Sequence, residues 1–282
     1  MRNLKDTFSI LRSSLYVLRK DKELIIFPFL CAVMLILVFI GFVYSTVRLY
    51  PEGAEVLRKN PFFYGFTPYL QMFIFIFAVH FVITFFNAAV VASAARRFSG
   101  ENPTVITDFS DVFKHLAKIA GWVFLISIVV FIMNFFKKKG WLGKIIGQAV
   151  EIAAEIACFF VIPVIMIENQ NPVNAIRRST QMMWDSWGRQ IAGNLSLYLI
   201  VSLIQIPGII LLVLAFDITN PHKITLINSV NLGFGAVYIA FISAIYNTLV
   251  EIFRVALYLY VRDGKAPEGF EVDSLQQAFV PA

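Results

Sequence analysis

The stretch GKIIGQAVEIAAEIACFFVIPVIMIE, residues 143–168, indicates what kind of protein this chain is. It is almost wholly apolar, and a helix of about 20 residues, rising about 1.5 Å per residue, crosses the ~30 Å hydrocarbon layer of a bilayer. Gly143, Gly147, Glu151 and Glu155 recur at every fourth position and therefore share one face of that helix. We expect a membrane-spanning helix that carries two carboxyl groups on a single stripe.

Glu155 lies near the middle of this predicted span. A charged side chain at that depth costs roughly 2.5–3.5 kcal/mol even on the more lenient insertion scales. The carboxyl group should therefore be protonated, paired with a cation, or exposed to water inside a bundle. Each of these arrangements requires other helices around the stripe.

The composition of the whole chain also indicates an integral membrane protein. Of its 282 residues, 59% are hydrophobic and only 15% are charged, whereas soluble domains are about one quarter charged. The formal net charge is +6, but the basic residues lie beside apolar segments, which favours lipid headgroups over nucleic acid as their partner. Cys31 and Cys158 lie in predicted spans and are too few for a disulfide framework or a thiolate metal site.

The order of apolar and polar segments predicts an all-α fold, a polytopic membrane helix bundle. Residues 1–265 form a single transmembrane domain in this interpretation, and residues 266–282 form a polar C-terminal tail. We expect Pro163 to kink the fourth span and Pro207-Gly208 to interrupt the fifth. The six predicted spans cover about residues 24–47, 69–95, 118–136, 145–167, 190–216 and 226–261.

Three further segments are too polar to span but place apolar residues at helical spacing, about 4–20, 104–117 and 172–187. We interpret them as amphipathic helices in the membrane interface; for the first, packing on a soluble domain is the alternative. Asn102-Pro103 and Asn171-Pro172 open the second and third. The pattern therefore predicts three units, each an interfacial helix followed by a two-helix hairpin. This repeat supports the architecture but says little about activity.

The distribution of basic residues predicts the orientation. Loops on the side of the N-terminus carry more Lys and Arg than the opposite loops, which favours a cytoplasmic N-terminus and C-terminus. Lys137, Lys138 and Lys139 fall on the opposite side and do not follow this rule.

Polar residues recur along four of the predicted spans and define a candidate intramembrane site. Arg254 stays protonated in a protein, so it must pair with a carboxylate or reach the membrane surface. Glu251 lies three residues away on the same helix, and a glutamate of the fourth span is a second candidate partner. Either a polar path through the bundle or interhelical hydrogen bonding explains such stripes. The candidate residues are Glu151, Glu155, Glu251, Arg254, Asn247, His80 and Asn87.

No pattern in the sequence indicates catalysis. No two histidines have metal-ligand spacing, and the sequence contains no phosphate-binding lysine loop, no GxGxxG and no GxSxG. We expect no catalytic residue, no metal site and no cofactor, and therefore no enzyme.

Three stretches together resemble a known family: SLYVLRKDKELIIFP at 14–28, NAAVVASAARRFSGENPTV at 87–105, and FFVIPVIMIENQNPVNAIRRSTQMMWDSWGRQIAGN at 159–194. They are similar to uncharacterised prokaryotic six-span membrane proteins, a family distantly similar to the membrane domain attached to some glycerophosphodiester phosphodiesterases. The resemblance implies the six-span layout with interfacial helices in the prokaryotic cytoplasmic (inner) membrane. It brings no catalytic residue.

Two functions are compatible with the sequence. One is a transporter or channel for a small solute, an ion or a lipid, which the polar stripes favour. The other is a non-catalytic membrane scaffold or partner-binding subunit, which the lack of a selectivity or coupling motif favours. The expected partners are the lipid bilayer and anionic headgroups at the cytoplasmic face; a homo-oligomer or a membrane protein partner is also compatible, and nucleic acid is not expected.

Overall fold

The computed structural model describes residues 12–49, 61–137, 147, 150, 153–154, 157–187, 204–211, 213–214, 226–270, 272 and 275. Within these residues the regular structure is helical, without a strand. A 3-10 turn, Lys22–Ile25, follows the first helix. The helices are α1 (12–20), α2 (Ile26–Leu49), α3 (Pro61–Phe98), α4 (Val105–Lys114), α5 (Leu116–Lys137), α6 (Val161–Ile167), α7 (Pro172–Trp187), α8 (204–211) and α9 (Leu226–Asp263).

Four helical segments in the described part of the chain are long and apolar enough to cross a membrane. They are Glu23–Leu49, Phe66–Phe98, Leu116–Met133 and Phe241–Asp263, and they overlap the first, second, third and sixth predicted spans. The helical fold is therefore confirmed for the described residues, and the four apolar helices suggest a protein embedded in a membrane. The count of six spans stays a prediction, because much of 145–167 and 190–216 lies outside the described residues.

The surface of α2 shows why a membrane is required. Ile36, Phe39 and Ile40 are 60%, 57% and 56% exposed, and the helix has apolar side chains on all faces. A soluble protein rarely exposes so large a continuous apolar surface. Such a surface is suited to lipid rather than to water.

Most of the core lies toward one end of the helices. Ala88, Ala89 and Ala94 of α3 are fully buried, as are Val255 and Ala256 of α9. Small residues at a helix interface allow two backbones to approach closely, which is the usual basis of helix association in membranes. The opposite halves of α2 and α3 are more exposed.

Pro163 breaks the fourth predicted span instead of only kinking it. Helical residues 157–158 end at a turn formed by Phe159 and Phe160, and α6 begins at Val161. A proline lacks the N–H group, and its ring collides with the carbonyl four residues earlier, here that of Phe159. The helix therefore restarts so that Pro163 lies in the first turn, where N–H groups have no partner within the helix.

Residues 204–211 are continuously helical, so the chain is not interrupted within this segment, but the residues before Ile204 lie outside the described residues and the interruption before Pro207 stays a prediction. Tyr238 Oη of α9 donates to the carbonyl of Ile204 at 2.9 Å, which joins this segment to α9. Gly208 allows close packing, because a Cβ there would lie 2.6 Å from Cγ1 of Ile239 on α9.

Helices α4 and α7 lie close to the predicted amphipathic segments. Thr104 caps α4 by accepting a hydrogen bond from the Thr107 N–H, so Pro103 precedes the cap instead of opening the helix. Asn171 Oδ1 accepts from the Asn174 N–H at the start of α7. Of the predicted helix 4–20, residues 12–20 are described and helical.

The first part of the predicted tail packs on the bundle, although its sequence is polar. The Phe270 ring lies 6.0 Å from that of Phe98 and 6.4 Å from that of Phe253. Lys20 Nζ lies 2.8 Å from Glu268 Oε1, which joins α1 to the same segment. Phe270 anchors this segment by apolar contacts, which the average polarity of the tail does not indicate.

Candidate functional site

The structure brings Asn87, Glu251 and Arg254 of the predicted site together. Arg254 Nη1 donates to Glu251 Oε1 at 2.6 Å, and Asn87 Nδ2 donates to the same oxygen at 3.2 Å. Glu251 is 4% exposed. The pairing of Arg254 with Glu251, expected from their spacing, is therefore present in the structure.

The folding of two spans explains this geometry. Glu251 and Arg254 lie three residues apart on α9, so their side chains meet across one helical turn. Asn87 comes from α3, where the following residues Ala88 and Ala89 are fully buried and bring the two helices close. The guanidinium of Arg254 also lies over the ring of Phe159, 4.9 Å from its centroid.

Two atoms of this cluster lack a hydrogen-bond partner among the described residues. Glu251 Oε2 and Arg254 Nε are both buried. An unsatisfied buried polar atom costs about 1–3 kcal/mol, more when it is charged. Among the described residues, the cluster is therefore balanced in charge but incomplete in hydrogen bonding.

The other predicted site residues lie elsewhere. His80 Nδ1 is 2.8 Å from the carbonyl oxygen of Ile76, one turn earlier on the same helix, and Asn247 is exposed on α9. Glu151 and Glu155 lie outside the described residues, so their place in the site stays a prediction. The set therefore forms one cluster on α3 and α9 and does not form a single stripe in the described part of the chain.

A second ionic cluster, which the sequence analysis missed, surrounds Arg96 at the end of α3. Arg96 Nε donates to Asp111 Oδ2 at 3.1 Å, and its Nη2 contacts the same oxygen. Asp108 Oδ1 lies 3.8 Å from Arg96 Nε, and Glu101 Oε2 lies 3.7 Å from Arg96 Nη1. One signal for this cluster was the spacing of Asp108 and Asp111, which puts both carboxyls on the same side of α4.

Asp108 and Asp111 have opposite electrostatic properties. Asp108 is fully buried, and neither of its carboxylate oxygens has a hydrogen-bond partner among the described residues. Burial raises the pKa of Asp108 to about 6, although Ser93 and Arg96 act in the opposite direction. Burial also acts to raise the pKa of Asp111, but hydrogen bonds from Lys114 and Arg96 outweigh it, and that pKa lies below its usual value.

Arg97 connects the beginning of the chain to the same end of α3. Its Nε donates to Asp21 Oδ2 at 2.6 Å and its Nη1 donates to Asn102 Oδ1 at 3.1 Å. Glu23 Oε2 accepts a hydrogen bond from the backbone N–H of Val105 at 2.9 Å, at the start of α4. An acidic group at a helix N-terminus is stabilised by the helix dipole. These contacts fix the turn before α2 against α3 and α4.

Glu168 makes a third connection, between α9 and α7. Tyr258 Oη donates to Glu168 Oε1 at 2.7 Å, and Arg178 Nε donates to the same oxygen at 3.3 Å. The backbone N–H of Phe160, freed by the break before α6, donates to Ser179 Oγ of α7 at 2.9 Å. Hydrogen bonds to Glu168 and Phe160 thus hold helix α7 against the rest of the protein.

The chemistry of these clusters is pairing of charges. In the part of the chain that the structure describes, no three His, Cys, Asp or Glu side chains are placed to hold a metal ion. The clusters described here join helices to one another, and each contains an arginine held by carboxylates.

Comparisons with known proteins give a family but no characterised relative. No curated protein and no solved structure matches the chain. A family model matches residues 66–270, which include Asn87, Glu251 and Arg254 and the arginine pair at the end of α3. The match extends over more than half of the chain and supports the expected resemblance to an uncharacterised family. The chain belongs to the family of unknown function DUF6159.

Proposed function

We propose that the protein is a non-catalytic membrane scaffold, in which buried polar groups hold the helices together instead of lining a path for a solute. The observation that carries this proposal is the Glu251 cluster. A single carboxylate oxygen receives hydrogen bonds from two spans at a position that is 4% exposed. A binding site for a transported solute must instead keep its polar groups available to the solute.

The energetics of the pair support a structural role. Arg254 neutralises Glu251 within the bundle and also stacks on Phe159. Separation of a buried pair leaves an uncompensated charge and costs about 3–5 kcal/mol. A residue that must exchange partners during transport would pay that cost in each cycle.

The contacts of the amphipathic helices support the same function. Arg96 attaches α4 to α3, and Glu168 attaches α7 to α9. Both helices still expose apolar side chains: Ile106 is 82% exposed and Trp184 is 74% exposed. We infer that these side chains enter the headgroup layer, so that the scaffold presents two fixed helices at the membrane surface.

The resemblance to prokaryotic six-span proteins implies a location in the prokaryotic cytoplasmic membrane, and the distribution of Lys and Arg supports both termini in the cytoplasm. Anionic headgroups on that face are then the partners of the basic residues, and a second copy or another membrane protein is the partner of the scaffold. The distant similarity to the membrane domain of glycerophosphodiester phosphodiesterases stays a prediction. It brings no catalytic residue, and we propose no enzymatic activity.

A transporter or channel is the second candidate, and one observation favours it. Glu251 Oε2 and Arg254 Nε are buried without a hydrogen-bond partner among the described residues. Water or a polar solute inside the bundle is the kind of group that satisfies such atoms. The two functions therefore differ in whether water reaches this cluster.

Cysteine accessibility tests the proposal. In a background with Cys31 and Cys158 replaced by alanine, Thr248→Cys places a thiol beside the cluster, where Thr248 is 1% exposed. Ser110→Cys, at an exposed position of α4, is the control. We expect a charged, membrane-impermeant thiol reagent, present on both sides of a vesicle, to modify the control and not Thr248→Cys. Modification of Thr248→Cys at a comparable rate would reveal a water path and reject the scaffold.

A second variant tests the structural role directly. Combined replacement Asn87→Leu, Glu251→Met and Arg254→Met removes every polar group of the cluster, which is often neutral or stabilising for a purely structural pair. We expect this variant to elute as a single species and to melt no lower than the wild type. If it misfolds while Thr248→Cys is modified in the otherwise native protein, the cluster needs its polar groups for a wet path.

A further inference from the structure

A groove of about 400 Å³ lies between α2 and α3, toward the halves of these helices that are away from the core. Its walls are almost entirely apolar. Gly41, Phe42 and Val38 contribute from α2, and Leu70, Ile74 and Ala78 contribute from α3.

Gly41 creates the opening of the groove. A Cβ at this position would meet no atom within 4 Å. Below it, the rings of Phe42 and Phe75 pack in a tilted arrangement with their centroids 4.2 Å apart and join the two helices. Gln71 Nε2 donates to Ser45 Oγ at 2.9 Å and to Thr46 Oγ1 at 2.8 Å, so the polar groups at one end bond to each other. The helices are thus held together around a space that their side chains leave unfilled.

The medium around the groove is hydrocarbon. Both helices belong to segments able to cross a membrane, so the groove opens sideways at membrane depth. From Val38 to Leu49 it follows α2 for about 16 Å at 1.5 Å per residue. The side chains that line an empty groove lack van der Waals contacts on that side. At membrane depth, a lipid acyl chain is the molecule available to fill the groove and make these contacts.

A positive charge lies at the edge of the groove. Arg48 is exposed and lies seven residues, or two helical turns, from Gly41 on the same edge of α2. Its guanidinium is held by Tyr44, with Nε 3.2 Å from the hydroxyl oxygen and the guanidinium carbon 5.4 Å from the ring centroid. No carboxylate among the described residues pairs with Arg48. Arginine beside an apolar channel matches a phosphate attached to an acyl chain.

We propose that the groove between α2 and α3 binds one glycerophospholipid, whose acyl chain lies along Gly41 and whose phosphate pairs with Arg48. The site is separate from the Glu251 cluster, so it does not depend on whether the protein is a scaffold or a transporter. A scaffold with such a site carries a defined lipid at its lateral surface.

Native mass spectrometry of the purified protein tests the site. The protein is reconstituted in nanodiscs of phosphatidylcholine and phosphatidylglycerol, extracted into mild detergent, and the lipids that remain bound are counted. We expect one phospholipid per wild-type chain. Gly41→Leu fills the groove without a clash at Cβ and should reduce occupancy about tenfold, whereas Val43→Phe, a bulky change at an exposed position on the other side of α2, should not.

The charge is tested in the same way. Arg48→Gln removes the charge-assisted hydrogen bonds to the phosphate and should weaken lipid retention about tenfold, and Arg48→Lys should restore most of it. Melting temperatures verify that each variant is folded. The proposal is rejected if the wild type retains only detergent, or if folded Gly41→Leu protein retains as much lipid as Val43→Phe.

Discussion

Replacement of Asp108 by asparagine should make the protein more stable at neutral pH, and the gain should depend on pH. The carboxyl group is fully buried, its oxygens lack hydrogen-bond partners among the described residues, and its pKa rises from 3.8 to about 6. Because the pKa is higher in the folded protein than in the unfolded chain, the folded state binds more protons between these two values. The contribution of Asp108 to stability is therefore favourable below pH 4 and is lost as the pH rises through about 6.

The magnitude follows from the size of the pKa shift. A shift of about two units at 1.36 kcal/mol per unit gives at most about 3 kcal/mol of instability at pH 7 that Asp108→Asn removes. The asparagine amide also needs hydrogen bonds and no longer attracts Arg96, so we expect a net gain of about 1–2 kcal/mol.

The assay is thermal unfolding in detergent between pH 5 and pH 8, followed by intrinsic fluorescence. The melting temperature of Asp108→Asn minus that of the wild type should increase as the pH rises. Asp111→Asn is the matched control, because the pKa of Asp111 is lowered by Lys114 and Arg96. Its carboxylate stabilises the protein above pH 4, so this variant should be less stable than the wild type by a similar amount from pH 5 to pH 8 and should approach it only below pH 4. A pH-independent difference for Asp108→Asn, or a loss of stability at pH 8, would show that Asp108 is a well-paired carboxylate.

The other predictions concern packing and charge within the bundle. Arg254→Ala should destabilise the protein by about 3–5 kcal/mol because it leaves a buried carboxylate unpaired, and a melt as high as that of the wild type would contradict the ion pair. Gly208→Ala should cost about 1–3 kcal/mol, since its Cβ would lie 2.6 Å from Ile239, whereas Gly41→Ala should be neutral in the same melts. Glu155→Gln should be tolerated if that side chain is protonated in the membrane, and a large fall in its melting temperature would indicate a charged partner.

The spans were the part of the fold most accessible to sequence reasoning, because length and apolar composition alone predict them. Helix α2 has apolar residues on every face, and no alternative to a membrane helix fits such a segment. The break at Phe159 was also open to prediction, since the ring of Pro163 excludes the carbonyl four residues earlier. Sequence analysis expected only a kink, because the contacts that stabilise a full break come from α7.

The two clusters show the limit of pattern reasoning. The Glu251–Arg254 pair follows from spacing on one helix, but the contribution of Asn87 depends on the register between α3 and α9, which no local pattern records. The burial of Asp108 is harder still to predict from the sequence. An acidic residue on an amphipathic helix is normally expected to face water, and the contact of Asp108 with Arg96 depends on the end of a different helix.

The hydrogen bond from the Phe160 N–H to Ser179 also has a consequence for membrane insertion during synthesis of the protein. The two residues are separated by 19 positions, so the ribosome makes the broken span before it makes the side chain that completes it. Until Ser179 emerges, the Phe160 N–H has no such acceptor, which is unfavourable in an apolar environment. We therefore expect the segment around Phe160 to remain with the insertion machinery until α7 is synthesised. Ribosome-arrested chains ending before and after Ser179 should then differ in protease protection of that segment, and identical protection would rule out the delay.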